Sequence, residues 1–501
     1  MKVVLAGYNV DAGVLKELEE KTGKRDDLTP EVLSAAYARI SRDPRYIDEI
    51  REDARREVEK SRRSNSTIIF KMGHHSVAEH AVFNWDIMGV SRYAMEEVEK
   101  FRLSSYTEKS QRYITLKDDF VIPDSLKGTK FEAMFVGMVR EQNKAYGELF
   151  EKLKKHVFEK HPDLAADPKN HNLLEGWAKE DARYVTALAT ESQVGLTINA
   201  RNLELMLRRF ASCPLAEIKT LGRELHREVS GIAPSIVIFH EANDFDTNTR
   251  PELQKLAGDL AKKAGGKAGV REVRLVEYTK DADTVIAASL LHSSSLVPYE
   301  ECKAIAEKMT QEEKKGIYRA SWSNMQFYNS VLREFEYANL TFDIVLSSAC
   351  FGQLKRHRMS TITSQNYDPG LGITIPEAIK EIGMEGYFSE IVDKTNDVYD
   401  AIYKEDPLSA PYVLTNAHRK RVLIRVNVRE LYHISRLRED AHAQWDIQNV
   451  SRAMGGEAKK VMPLACELAC GKDRYNENYS AVFGRLPKVT EIALPGARKI
   501  K

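Results

Sequence analysis

Surplus charge of either sign is missing from this chain: 75 basic residues meet 74 acidic ones over 501 positions. That balance argues against holding nucleic acid or a membrane surface by bulk charge, yet it leaves room for a local basic pocket around a small phosphate ligand. Long apolar runs are missing too, so no segment reads as a membrane span. Cysteine is sparse and odd in number, at Cys213, Cys302, Cys350, Cys466 and Cys470, which suits the reduced thiols of a cytoplasmic protein. Cys466 and Cys470 stand at helical i, i+4 spacing in PLACELACG and read as two core thiols. There is no Walker loop and no GxGxxG unit, and the histidine-rich run Gly73–His80 lacks the HExxH order of a zinc protease. The opening, MKVVLAGYNVDAG, lacks the pattern of a signal peptide and reads as a first strand and turn.

What is present is a pattern written twice. KFRLSSYTEKSQRY (Lys100–Tyr113) and RHRMSTITSQNYDP (Arg356–Pro369) each follow an acidic-aromatic segment, EHAVFNWDI from Glu79 and EYANLTFDI from Glu336. Such self-similarity indicates a duplicated domain, as expected for a chain too long for one core. The stretch 244–271, ending in AGGKAG, reads as a linker, and EVRLVEYT after it as a new first strand. The expected domains are 1–245 and 271–490, with 246–270 between them.

In each half the alternating segments Ala81–Gly89 and Ala338–Leu346 read as strands. Helical stretches Ser91–Arg102 and Ser347–Arg358 follow and end in basic residues. Next come Ser/Thr-rich loops, then long amphipathic helices at 130–156 and 376–404. Further helices are opened by Asn199-Ala200-Arg201 and Asn427-Val428-Arg429. The fold class is α+β, in two tandem copies.

Lys355, Arg356, His357 and Arg358 gather four basic side chains at one helix end. Arginine donates bidentately to phosphate, and histidine adds a group that titrates near neutrality; charge alone favours a solvated helix cap over an anion site. In an extended segment Glu108, Ser110 and Arg112 point to one side, so they can converge on one ligand or form an ordinary polar loop.

At the RHR triplet the chain resembles the flavin-dependent thymidylate synthases, whose pattern is RHRxxSxNExSxRY. EHAVFNWDI, REDAHAQWDI (Arg438–Ile447), DARYV with TINARNLELML, and RVNVRELYHISRL resemble further blocks of that family. The resemblance implies FAD as cofactor, methylation of dUMP to dTMP, methylenetetrahydrofolate and NADPH as co-substrates, no cysteine nucleophile, and sites assembled between subunits of a homotetramer. Carried over residue by residue, Arg356, His357 and Arg358 match flavin-binding positions, and so do His74, Glu108, Asn427, Arg429 and His442. Gln353 matches a nucleotide contact. Arg438 matches the arginine held against the pyrimidine. Glu108, Ser110 and Arg112 match the nucleotide loop, Ser110 and Arg438 being the expected catalytic residues, and Arg183 matches a phosphate-binding arginine.

The two halves depart from the pattern in opposite ways. The second keeps RHR, but Ser364, Asn366 and Asp368 replace the loop residues and Pro411 lies nearest the phosphate arginine. The first keeps Glu108, Ser110, Arg112 and Arg183, but Lys100 and Phe101 replace Arg and His, and Glu97 replaces the glutamine. A one-residue gap leaves either Phe210 or Arg209 at the pyrimidine arginine. These complementary losses imply composite sites, each taking one set of residues from each half, in a homodimer that forms a pseudo-tetramer of domains. A degenerate flavin- or nucleotide-binding paralogue without turnover, and a related pyrimidine-modifying flavoenzyme, are the alternatives.

Overall fold

The structure is a computed structural model that describes residues 9–23, 27–40, 43–112, 114, 116, 119–264 and 272–490. The opening strand expected over Met1–Tyr8 lies outside them. Among the described residues, no helix is long and apolar enough to cross a membrane.

The chain forms two compact units that do not follow the two sequence halves. The first comprises 1–145, 186–267 and 391–414; the second comprises 146–185, 268–390 and 415–501. Each unit therefore contains a segment from the other half.

The first unit carries an antiparallel sheet of β1 (Val82–Ser91), β2 (Ser104–Glu108) and β3 (Glu191–Asn199), in the order β1-β3-β2. The second carries β4 (Val273–Tyr278), β5 (Asn339–Ser347), β6 (Thr361–Tyr367) and β7 (Arg419–Asn427), in the order β4-β5-β7-β6. Strand β7 shows the two-residue period of a strand: Lys420, Val422, Ile424 and Val426 are buried, while Leu423 and Arg425 face outward. Central β5 is buried almost throughout and lies against Trp322, Phe335 and Tyr318 in the main core. Helices and antiparallel sheets in two tandem copies make the protein α+β, as the sequence implied.

Several boundaries differ from the expectation. Much of the Ser/Thr-rich loops is strand, β2 pairing with β3 and β6 with β7, helped by the Thr, Tyr and Ile they carry; Ser110 and Arg112 lie beyond β2. The helices before them are shorter, Arg92–Val98 and Ser348–Leu354. The RHR triplet follows the helix in tight turns (His357 N to Leu354 O, 3.1 Å), so its charges do not sit on a helix end. The long helices span Lys130–Lys160 and, after the short Glu377–Glu381, Glu385–Tyr403. Most of the expected linker is an exposed helix, Asp244–Ala264, opened by Asn243, whose Oδ1 accepts from Asp246 N at 2.8 Å. Cys466 and Cys470 lie in turns after the helix Trp445–Val461; Cys466 is buried and Cys470 half-buried.

Candidate functional site

The second unit brings Arg183, Gln353, His357 and Arg438 together, while the retained Glu108, Ser110 and Arg112 belong to the first unit. Asn427 opens the helix Val428–Arg438, its Oδ1 accepting from Glu430 N at 2.8 Å, and the helix ends on Arg438. There Arg438 Nε donates to His357 Nε2 (2.9 Å) and Nη2 donates to Gln353 O (3.1 Å). His357 is 2% exposed. Burial, with Arg438 beside it, pushes its pKa down to about 3. The ring is therefore neutral, against the expectation of a group that titrates near neutrality.

A second layer joins this group to residues of the first sequence half. Gln353 Nε2 donates to Gln444 Oε1 (3.3 Å), and Gln444 Nε2 donates to the hydroxyl of Tyr184 (2.9 Å). That hydroxyl donates to Asp446 Oδ2 (3.0 Å), which also accepts from Ser347 Oγ (2.6 Å). Burial pushes the Asp446 carboxyl up. Trp445 stacks on Tyr184 with centroids 5.6 Å apart, and its indole N–H donates to Asp181 Oδ1 (2.7 Å). Burial raises the Asp181 pKa to about 7. Arg183 follows the helix His171–Ala182 and is 5% exposed; its Nε donates to Glu180 O (3.2 Å), and its carbonyl accepts from Asn416 Nδ2 (3.1 Å). Arg183 thus belongs to the same unit as His357 and Arg438.

The corresponding place in the first unit is apolar. Counted from the capping asparagines Asn199 and Asn427, Arg438 corresponds to Phe210. Phe101, in the position of His357, packs edge-on against Phe210 at 5.8 Å, with the Arg209 guanidinium 5.9 Å from the Phe101 ring centre. The Ser347–Asp446–Tyr184 network has a counterpart: Ser91 Oγ and Tyr412 OH both donate to Glu217 Oε2, each at 2.8 Å. Tyr412 comes from the second half, as Tyr184 comes from the first, so the exchange of segments is reciprocal. It also brings Pro411 into the unit that has lost the His–Arg pair.

The sequence profile of the thymidylate synthase complementing protein family matches the chain twice, over residues 25–235 and 274–464. The chain belongs to that family. A flavin-dependent thymidylate synthase of Geobacter sulfurreducens is 33% identical over 216 residues, covering 41% of this chain and 80% of that protein. A UPF0159 protein of Chlamydia muridarum is 24% identical over 437 residues, 83% of this chain and 82% of its own length. A UPF0159 protein of Thermoplasma acidophilum is 21% identical over 483 residues, 86% of this chain and 92% of its own. The chain thus carries two copies of the family's profile and matches the latter two relatives over most of their length.

The family's other positions fall as follows. Glu108 ends β2 in the first unit with its side chain 4% exposed, accepting from Arg92 Nη1 (2.7 and 2.8 Å) and Ser192 Oγ (3.0 Å). Ser110 Oγ accepts from Arg112 N at 3.2 Å. His74 is exposed, just before the short 3-10 helix His75–His80. In the second unit Arg356 is half-buried and Arg358 exposed; Arg429 pairs with Glu336 (2.6 Å), and His442, its side chain 87% exposed, meets Asp440 at 2.8 Å. Sequence reasoning missed Tyr184, Gln444, Asp446, Asp181 and Glu430. The repeated Arg/Pro-Tyr-Val at 183–185 and 411–413 was the available signal for Tyr184.

Proposed function

We propose that the chain methylates dUMP to dTMP, with FAD as cofactor and methylenetetrahydrofolate and NADPH as co-substrates, at a site centred on the retained residues of the second unit. One observation carries this reading. Arg183 from the first half shares a compact unit with Gln353, His357 and Arg438 from the second, whereas the substituted counterparts Phe101, Phe210 and Pro411 share the other. The nucleotide loop sorts the other way: the kept Glu108, Ser110 and Arg112 belong to the first unit, and the substituted Ser364, Asn366 and Asp368 to the second.

The residues present suit the cofactor and nucleotide chemically. Arg356 and Arg358 offer donors that an anionic flavin nucleotide requires. Gln353 Oε1 is buried without a hydrogen-bond partner among the described residues, an acceptor that a pyrimidine N–H would satisfy. Asn427, Arg429, His442 and His74 are assigned to the flavin by family correspondence. So are Glu108, Ser110 and Arg112 of the first unit, and Arg183 of the second, to the nucleotide, with Ser110 carried over as a catalytic hydroxyl. When bound and reduced, FAD supplies a hydride. Arg438, fixed by His357 and Gln353, holds a permanent cation where negative charge develops on the ring during attack. Neutral His357 is an acceptor for Arg438 and does not serve as a proton donor. Two chains in a homodimer supply the four thymidylate-synthase-like halves.

The test is direct. The expected result is a yellow purified protein whose NADPH oxidation dUMP stimulates, with loss of the hydrogen at C5. A colourless protein that takes up no FAD sinks the proposal. One observation favours a flavin- or nucleotide-binding paralogue without turnover: Glu108 is closed on Arg92 and Ser192. Binding of dUMP without product by mass spectrometry selects that reading.

A further inference from the structure

Beneath the His357–Arg438 pair lies a carboxylate that the motif comparison does not single out. Glu430, three residues into the helix that ends on Arg438, is 6% exposed, and its Oε1 stands 3.4 Å from His357 Nδ1. Neither atom has a hydrogen-bond partner among the described residues, so this long contact is what each has. A guanidinium N–H donates and never accepts, so His357 Nε2 facing Arg438 Nε carries no proton. A neutral imidazole keeps one proton, which is then on Nδ1, facing Glu430. His433, whose ring lies edge-on to His357 at 5.6 Å, is the other imidazole nearby.

We propose that Glu430 is a positioning residue: it accepts the Nδ1 proton of His357, fixes the tautomer whose Nε2 can accept from Arg438, and so aims the arginine that faces the pyrimidine. The idea extends the proposed thymidylate synthase reading and rests on it only for the consequence, since the tautomer is measurable in the protein alone. Were the proton on Nε2, two N–H groups would face each other at 2.9 Å and Arg438 would turn away.

The test combines a spectrum with kinetics. Protein labelled with ¹⁵N-histidine, with His357 assigned by comparison with His357→Gln, is expected to show neutral His357 protonated on Nδ1. In Glu430→Leu the proton moves to Nε2; in Glu430→Gln, which keeps an acceptor oxygen, it stays on Nδ1, as it does in His433→Asn. Losing a hydrogen bond to a charged group corresponds to about 10- to 100-fold, so kcat falls by that factor in Glu430→Leu while the KM for dUMP changes less than about threefold. Glu430→Gln restores kcat to within about threefold of the parent. A parent protein with His357 protonated on Nε2 overturns the proposal whether or not Glu430→Leu folds. So does an unchanged tautomer in a folded Glu430→Leu. Absence of thymidylate product with the expected tautomer refutes the functional reading and leaves the positioning role intact.

Discussion

Tyr184 is where the segment 146–185 is held by the second unit's buried polar network, and Tyr184→Phe removes one oxygen without altering the ring. That oxygen accepts from Gln444 and donates to Asp446, and all three residues are at most 8% exposed. Stranding the Gln444 amide costs about 1–3 kcal/mol, and losing a bond to a carboxylate about 1.5–3 kcal/mol. Ser347 still serves Asp446 at 2.6 Å and recovers part of the second term. The expected net loss is about 3 kcal/mol, which lowers the midpoint of a unit this size by roughly 6–12 °C. The matching change in the first unit, Tyr412→Phe, leaves Glu217 with both Ser91 donors and strands no amide. It should cost about half as much. Urea unfolding followed by near-ultraviolet circular dichroism measures both. A Tyr184→Phe cost below about 0.5 kcal/mol, or below that of Tyr412→Phe, refutes the role assigned to the network.

Asp181 is the clearest pH-dependent element. Its pKa is raised from 3.8 to about 7 on folding, so its stability contribution is full below about pH 4 and is lost as the pH rises through about 7. Asp181→Asn should therefore flatten the pH dependence of unfolding between pH 4 and 8 and gain on the order of 2–4 kcal/mol over the parent at pH 8. Phe101→Ala empties a packed aromatic site and should cost about 3–5 kcal/mol in denaturant titrations, with turnover per folded molecule unchanged, because the first unit's counterpart site is outside the proposed chemistry. Arg356→Ala and Arg358→Ala should each lower the flavin absorbance of purified protein at least about threefold relative to the parent, whereas Arg102→Ala should not, each lost charge-assisted contact amounting to about 1.5–3 kcal/mol.

The parts that were readable in the chain are those written locally. RHR, the two asparagine caps and the segments that became β1 and β5 have short-range signatures, and Arg183 and Arg438 followed from ordered motif matches; β7 was not read. Strands β2 and β6 were read as loops because Ser, Thr and Asn suggest turns, although the polar side chains belong to strands with a solvated face. The helix Asp244–Ala264 was obscured by AGGKAG at its end and by Pro251 within it. The exchange of 146–185 and 391–414 leaves no periodicity, because an amphipathic helix buries the same face whichever core receives it. Gln444 and Asp446 look like surface polar residues until the tertiary fold supplies Tyr184 and Ser347 as partners.

On the proposed function, one set of chemistry gathered from both sequence halves does the work. Release of tritium from [5-³H]dUMP, in the presence of FAD, NADPH and methylenetetrahydrofolate, tests it most directly when measured side by side on folded Arg183→Ala, Arg438→Ala and Arg102→Ala. Loss of release by at least about 100-fold in the first two, with Arg102→Ala close to the parent, is the expected result. Release abolished by Arg102→Ala and unaffected by Arg438→Ala would contradict it.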